Sequence, residues 1–571
     1  MAYSTGIDLG TTNTVVSTAR KGINGTVEVL TEKLMQFGED GYSFEPDELL
    51  PSVLYVEDGE HYVGKRAKAM KGQRLNKVIC NSKNFIGQSD YKWEIDGKSY
   101  SPEIVASMFL SAVRQNLQDK YTYECDLDNV VITVPASFDL DQRNATKRAA
   151  KLAGFEGNII CISEPTAAIL DFINEQRRLA DEDRYLDFSE TKNVLVFDLG
   201  GGTCDVATLA VKMQGREVYV EELGVSPHTL LGGTHFDAYA AEGIMRDFAA
   251  ENHIDLAESL DATAQKELKA KLLVQMEKAK IFFAGRYALK QDDSIIFPVH
   301  IPNIINGEPF KFMLSMKQYN TYIQPLLKNE RNKENIISPI DETLKGIGKT
   351  KEDIDYVFCV GGMTQYPEVA KAIKNYFGKE PFKFCDSMQS VSKGAAIYQH
   401  YDVVEKKHQD GDVKSENENK SNHENDIDID IIPTLPQTVF LNVKDDFPIT
   451  LIEAKTKAGK PQIHRNLLEV TSEIQATLQL YTGRSYFDPH MKLLDDVILK
   501  FTHGVPIGSK ISLKLEYTQQ GVLEFEAWIE EHPEIKVNVC LENGDITEST
   551  LKQVKKDYDI EKVGGLYNAR F

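Results

Sequence analysis

Gly6-Ile7-Asp8-Leu9-Gly10-Thr11-Thr12-Asn13-Thr14-Val15-Val16 and Val196-Phe197-Asp198-Leu199-Gly200-Gly201-Gly202-Thr203-Cys204-Asp205-Val206 say nearly the same thing twice. In each, an apolar strand runs into Asp-Leu-Gly, then tiny or hydroxyl residues, then a second apolar strand. The aspartates stand at 8 and 198, so a whole subdomain is duplicated rather than a short tandem motif. Each copy predicts a β-hairpin whose turn is nearly bare of side chains, leaving backbone N–H groups able to close around phosphate oxygens. Asp8 and Asp198, at the strand ends, would face one another across a cleft.

The rest of the 571 residues sets bounds on this reading. At 42% hydrophobic and 9% aromatic the chain can bury several large cores. A formal net charge of −22 argues against nucleic acid as a general partner, since phosphate contacts need clustered Lys and Arg. The first residues lack the basic-then-apolar order of a signal peptide, and no uncharged apolar run is long enough to span a bilayer. The expectation is a monomer in the cytoplasm, away from membranes. The seven cysteines (Cys80, Cys125, Cys161, Cys204, Cys359, Cys385, Cys540) are scattered and mostly flanked by apolar residues, as reduced buried thiols would be.

Composition divides the chain. Residues 1–404 alternate buried-strand and helix patterns, Val130-Val131-Ile132-Thr133-Val134 and Tyr356-Val357-Phe358-Cys359-Val360 among the strands. This is an α/β architecture. Residues 405–434 are dominated by Lys, Asp, Glu, Asn and Ser and read as an acidic disordered linker. From 435 to 547 short runs alternate apolar and polar at a spacing of two between Gly, Pro and Asn turns, the pattern of a β-sandwich. Residues 548–571 form a short charged tail.

Neither glycine turn continues into Gly-Lys-Ser/Thr, and a strand rather than a helix follows each, so they are neither Walker loops nor dinucleotide fingerprints. One such turn alone would be an ordinary hairpin. Two with matched aspartates read as a phosphate clamp: Gly10, Thr11, Thr12 and Asn13 on one side, Gly200, Gly201, Gly202 and Thr203 on the other. Magnesium binds through one or two carboxylates plus substrate phosphates, which suits Asp8 and Asp198. Two further glycine pairs, Gly232-Gly233 and Gly361-Gly362, follow apolar runs and let backbone approach a base or ribose.

The motifs DLGTTN, VITVPASF, ISEPTAA, FDLGGGTCD, LGGTHFD, EKAK and VGGMTQYP, in this order over about residues 4 to 400, resemble the seventy-kilodalton heat-shock chaperone family of the actin-like ATPase superfamily. The β-rich part is similar more weakly, through Gln479-Leu480-Tyr481-Thr482-Gly483 and Gly521-Val522-Leu523-Glu524-Phe525. The resemblance implies a two-lobed actin-like ATPase domain followed by a peptide-binding β-sandwich, with ATP or ADP and Mg2+ bound. It makes Lys83 the catalytic lysine, Glu164 the glutamate that orients water and magnesium, and Asp205 and Thr203 further members of the catalytic set. Glu277 and Lys280 would bracket the nucleoside, while Pro135 and Arg143 would relay nucleotide state. From the residues alone, Lys83 is a surface lysine, Asp205 a solvated strand-end charge, and Glu277 with Lys280 a routine helical pair at i and i+3.

The chain departs from the family pattern at Ala284, Gln365 and Met388, where serine, arginine and aspartate are usual, which weakens the expected ribose and base contacts. Ile427-Asp428-Ile429-Asp430-Ile431-Ile432 stands in place of an apolar interdomain linker, and most of the helical lid is missing, so 548–571 is a truncated lid. The implied function is an ATP-dependent chaperone of unfolded or extended peptide segments, served by a J-domain co-chaperone and a nucleotide-exchange factor. Two other classes compete: a nucleotide-binding scaffold without turnover, and an actin-like filament protein.

Overall fold

The computed structural model describes residues 3–565, except 23–26, 122–126, 180–182, 216, 228, 306, 329–333, 384–385, 387, 411–427, 444–447, 484, 486–487, 489–490, 502–503, 520 and 541–547. Two mixed sheets with one topology form the N-terminal part. In the first, strands Ser4–Leu9, Asn13–Lys21 and Val27–Thr31 run as an antiparallel meander, and Val130–Val134 then Ile159–Ser163 add in parallel on the other side of Ser4–Leu9. In the second, Lys192–Leu199, Cys204–Gln214 and Glu217–Val225 make the meander, and Tyr356–Val360 then Phe382–Lys383 the parallel flank. The duplicated motif therefore marks two sheets of the same order, α/β as expected.

Parallel strands are covered on both faces, which is why Val130–Val134 and Ile159–Ser163 are buried at every position. The helices Glu164–Arg177 and Ser390–Asp410 lie between the sheets and close a core that takes side chains from both, including Val131, Val196, Phe358 and Ala395. Their approach is close: a Cβ on Gly394 would fall 1.7 Å from the Ala167 carbonyl oxygen, and one on Gly6 would fall 2.1 Å from the Ala396 nitrogen. Only glycine fits at either contact.

The acidic linker needs correction at both ends. The helix starting at Ser390 continues through Asp410, as its Glu, Lys and Gln residues allow, and Asp428–Ile432 is a strand paired in parallel with Glu217–Val225. Ile431 is buried against the core between the sheets while Asp430 is exposed, so the period of two in Ile-Asp-Ile-Asp-Ile is that of an edge strand with one apolar face, as the sequence allowed. Ile427 and the middle of the spacer lie outside the described residues.

Beyond the linker come two four-stranded antiparallel sheets, in strand orders 449–452, 438–442, 475–483, 492–500 and 462–469, 510–517, 523–529, 532–540. They share one apolar core that includes Leu441, Leu480, Val497, Leu513 and Phe525. Leu140, from the N-terminal part, is buried in that core as well. The C-terminal helix Glu548–Asp557 and the turn Ile560–Gly565 do not cover these sheets. They pack on the first lobe, where Ile560 and Val563 are fully buried, Ser111 Oγ donates to the Ile560 carbonyl at 2.8 Å, and Tyr558 meets Tyr100 edge-on at 5.5 Å. Among the cysteines, Cys161, Cys204 and Cys359 are buried outside any disulfide and Cys80 is half-buried; Cys125 and Cys385 lie outside the described residues. No helix among the described residues is long and apolar enough to cross a membrane.

Candidate functional site

Asp8 and Asp198 each end a strand beside the end of its parallel neighbour, Asp8 in register with Thr133 and Asp198 with Val360. The residues that continue those neighbours, Pro135 and Gly361, thus open onto the carboxylates, as expected at the carboxyl ends of strands in an open α/β sheet. The two hairpin turns face one another. A Cβ on Gly201 would lie 1.6 Å from Thr12 Oγ1, one on Gly202 would lie 2.7 Å from Thr11 Cγ2, and one on Gly10 would lie 2.3 Å from the Asn13 carbonyl. A side chain at Gly201 or Gly202 would fill the space between the turns, and one at Gly10 would collide within its own turn.

The other two glycine pairs converge on the same place. The Gly233 and Thr234 amides donate to the carbonyls of Gly200 (3.0 Å) and Gly201 (2.8 Å), and a Cβ on Gly232 would be 2.5 Å from the Gly202 nitrogen. Gly361, at φ +83°, lies against the Asp198 carboxylate, where a Cβ would be 2.4 Å from Oδ1. Gly362 faces Met388, with a Cβ position 3.4 Å from Sδ.

Lys83 is buried, contrary to the reading of its residues alone. It sits on the turn Ser82–Phe85 and donates to Glu164 Oε1 at 2.5 Å. Glu164 opens its helix directly after the buried strand Ile159–Ser163, with Ser163 as N-cap and Pro165 in the first turn. Asp205 is buried too, and accepts from Ser137 Oγ at 2.8 Å. Four acids, Asp8, Glu164, Asp198 and Asp205, thus surround one lysine. Burial raises Asp8 and pushes Asp198 well above the usual carboxylate range, with Glu164 and Asp205 adding to the latter. Burial likewise brings Glu164 up to about 7 despite Lys83. Burial opposes the charge on Lys83, but Glu164 and Asp8 outweigh it and hold the ammonium above its ordinary value.

This donor set fits a divalent cation: an excess of buried carboxylate with glycine-lined space beside it lacks positive charge. Among the described residues no three His, Cys, Asp or Glu side chains converge as a ready-made metal cage. Asp8 and Asp198 are the pair of these carboxylates that stand at matching strand ends, one beside each hairpin turn.

The cavity between the lobes is lined by Thr11, Thr12, Gly201, Gly233, Glu277 and Lys280, together with Lys68, Lys71, Cys80 and Asp237, which the sequence did not single out. Glu277 and Lys280 do not pair with each other. Glu277 accepts from Lys68 across the cleft at 2.7 Å, and Lys280 pairs with Asp237 at 2.7 Å and donates to the Gly233 carbonyl at 3.0 Å. Burial opposes ionisation of Glu277, yet Lys68 and Lys71 hold it below its usual value; burial pushes Asp237 up to about 6 against Lys280. Asp237 stood in plain view at the end of LGGTHFD, on the helix that Gly233 opens. Lys68 carried no such signal, since its partner is far away in the chain.

One segment, residues 133–143, runs from this site to the C-terminal sheets. Thr133 donates to Asp8 at 3.3 Å, Ser137 holds Asp205, the Phe138 ring lies 5.8 Å from Lys83 Nζ, and Leu140 enters the core of the sheets. Asp139 and Asp141 flank Leu140 and both face Lys492 at 3.5 Å. Arg143, in the helix Leu140–Ala153, is buried and donates through Nε to the Phe138 carbonyl at 3.2 Å. Lys457 pairs with Glu221 on the strand that receives the linker.

Comparison with known families agrees with the geometry: the family model described as Hsp70 protein matches residues 4–416, which carry the cleft and every strand of both sheets except the edge strand Asp428–Ile432.

Proposed function

The chain belongs to the Hsp70 family, and from that premise we propose that it hydrolyses Mg-ATP and couples turnover to the binding of extended peptide segments by the paired C-terminal sheets, which we read as a β-sandwich. The observation that carries the reading is the meeting of four glycine turns, two strand-end aspartates and the Lys83–Glu164 pair in one cleft. The backbone amides of the two hairpins hold the β and γ phosphates, and Thr11, Thr12 and Thr203 add hydroxyls. Asp8 and Asp198 would hold magnesium, which neutralises phosphate charge when bound. Lys83 stabilises charge that grows on the γ phosphate as the bond breaks, and Glu164 fixes Lys83 and orients water. Extended peptide is the substrate class for the sheets, with a J-domain protein and an exchange factor as partners; ordering of Thr133–Leu140 transmits the nucleotide state.

The test is calorimetry of Mg-ATP on the full chain, followed by single-turnover hydrolysis with and without an unfolded peptide. Lys83→Ala is expected to keep ATP bound and to slow hydrolysis by roughly 10²-fold, the scale of one lost preorganised contact. Affinity that collapses while turnover survives would overturn that role. A scaffold without turnover is the second reading, favoured by Met388 against Gly362, a thioether where the family has a carboxylate. Binding without hydrolysis in the parent would select it.

A further inference from the structure

We propose that Asn84 is a second catalytic side chain on the turn that carries Lys83, its carboxamide bridging the terminal phosphate and the attacking water; this rests on the nucleotide reading above. Ser82–Phe85 starts after Asn81, which takes the left-handed conformation at φ +57°. Beyond it Phe85 stacks on Tyr91 at 3.9 Å and meets Trp93 edge-on at 5.7 Å, and Ile86 is buried. Those contacts anchor the turn from behind and leave Lys83 and Asn84 to serve the cleft.

Asn84 reaches the junction of the two hairpins. The point that a Cβ on Gly202 would occupy is 3.5 Å from Asn84 Nδ2 and 2.7 Å from Thr11 Cγ2. Its Oδ1 is buried and has no hydrogen-bond partner among the described residues. A buried acceptor left without a donor costs about 1–3 kcal/mol, so one kept at a site calls for a donor supplied from outside the chain. An ionised phosphate cannot supply it; a water can. The same amide carries Nδ2 beside Gly202, on the hairpin assigned above to the phosphates, where its N–H would donate to a phosphate oxygen. A neutral carboxamide offers both functions without adding charge to a cluster already crowded with carboxylates.

In the step itself the water oxygen bonds to the γ phosphorus, the bond from that phosphorus to the bridging oxygen breaks with its electrons left on ADP, and the proton ends on the released phosphate. Asn84 transfers nothing; it aligns the water and donates to the phosphate.

Full-length parent, Asn84→Ala and the near-isosteric Asn84→Asp are to be titrated with Mg-ATP and Mg-ADP and followed in single-turnover hydrolysis. ADP affinity should stay within about twofold in both variants, which also reports that they are folded. Preference for ATP over ADP should fall by about tenfold, and hydrolysis by about 10²-fold, as for loss of one oriented donor. Asn84→Asp keeps the acceptor but loses the donor and adds a repelling charge, so it should be at least as slow. Unchanged ATP preference with unchanged hydrolysis, or an equal loss of ATP and ADP affinity, overturns the proposal while leaving the nucleotide site standing. A parent that binds neither nucleotide overturns both.

Discussion

Asp171, on the helix that Glu164 opens, shows what burial does to a carboxyl outside the cleft. Burial pushes it up to about 8, Glu175 adds to this, and Lys393 and Arg178 oppose it. The folded chain therefore keeps a proton that the unfolded chain releases near 3.8, so stability is full in acid and is lost as pH rises from about 4 to about 8. Asp171→Asn removes that dependence. In thermal unfolding across pH 5 to 9, the variant should gain on the parent progressively and then level off above pH 8, by at least about 1 kcal/mol; a pH-independent difference would refute the assignment. Lys83 and Asp205 teach the complementary lesson. Each is a charged side chain that local sequence would leave in solvent, yet both are buried, because a turn and a strand end place them between lobes that only the folded chain brings together.

The strand Asp428–Ile432 is the element through which the proposed coupling would run. It lies on an edge, in parallel, with Ile431 buried and Asp430 exposed and in contact with Gln519 of the C-terminal sheets at 3.1 Å. Burying one isoleucine stabilises the docked strand by about 1.5–3 kcal/mol, whereas a carboxylate there would have to be desolvated without a partner. Ile431→Asp should therefore abolish stimulation of ATP hydrolysis by peptide and leave basal hydrolysis within about twofold. Equal stimulation in variant and parent would show that the strand carries no signal. Its period of two was legible in the sequence, but its neighbour was not: pairing with Glu217–Val225 joins segments some two hundred residues apart.

The C-terminal tail ties the two ends of the molecule together. Tyr100 links His61, at 2.9 Å, to Tyr558, while Val563 fills the first lobe's core. Burial, helped by Lys98 and opposed by Asp559, lowers His61 to about 4. The depressed value means that the packing is fully favourable above about pH 6.5 and is lost as pH falls toward 4, by on the order of 2 kcal/mol. Hydrogen exchange should show 548–565 opening between pH 6.5 and 4.5 ahead of the strands 130–134 and 159–163, and Val563→Asp should open it at neutral pH. Uniform protection across that range would mean that His61 does not govern the tail.

Local chemistry was enough to read the doubled hairpins, the buried parallel strands and the carboxyl-terminal sheets' alternation, because turn residues and hydrophobic period act over a few positions. It also placed Asp8, Asp198 and the four glycine turns in one functional group, since the repeat itself implied that two copies face each other. The partner of Glu277, the burial of Lys83, the entry of Leu140 into another core and the seat of the tail were beyond it. Each of those is a contact between segments far apart in the chain, settled by how whole lobes and sheets bury their apolar faces against one another rather than by any preference of the residues concerned.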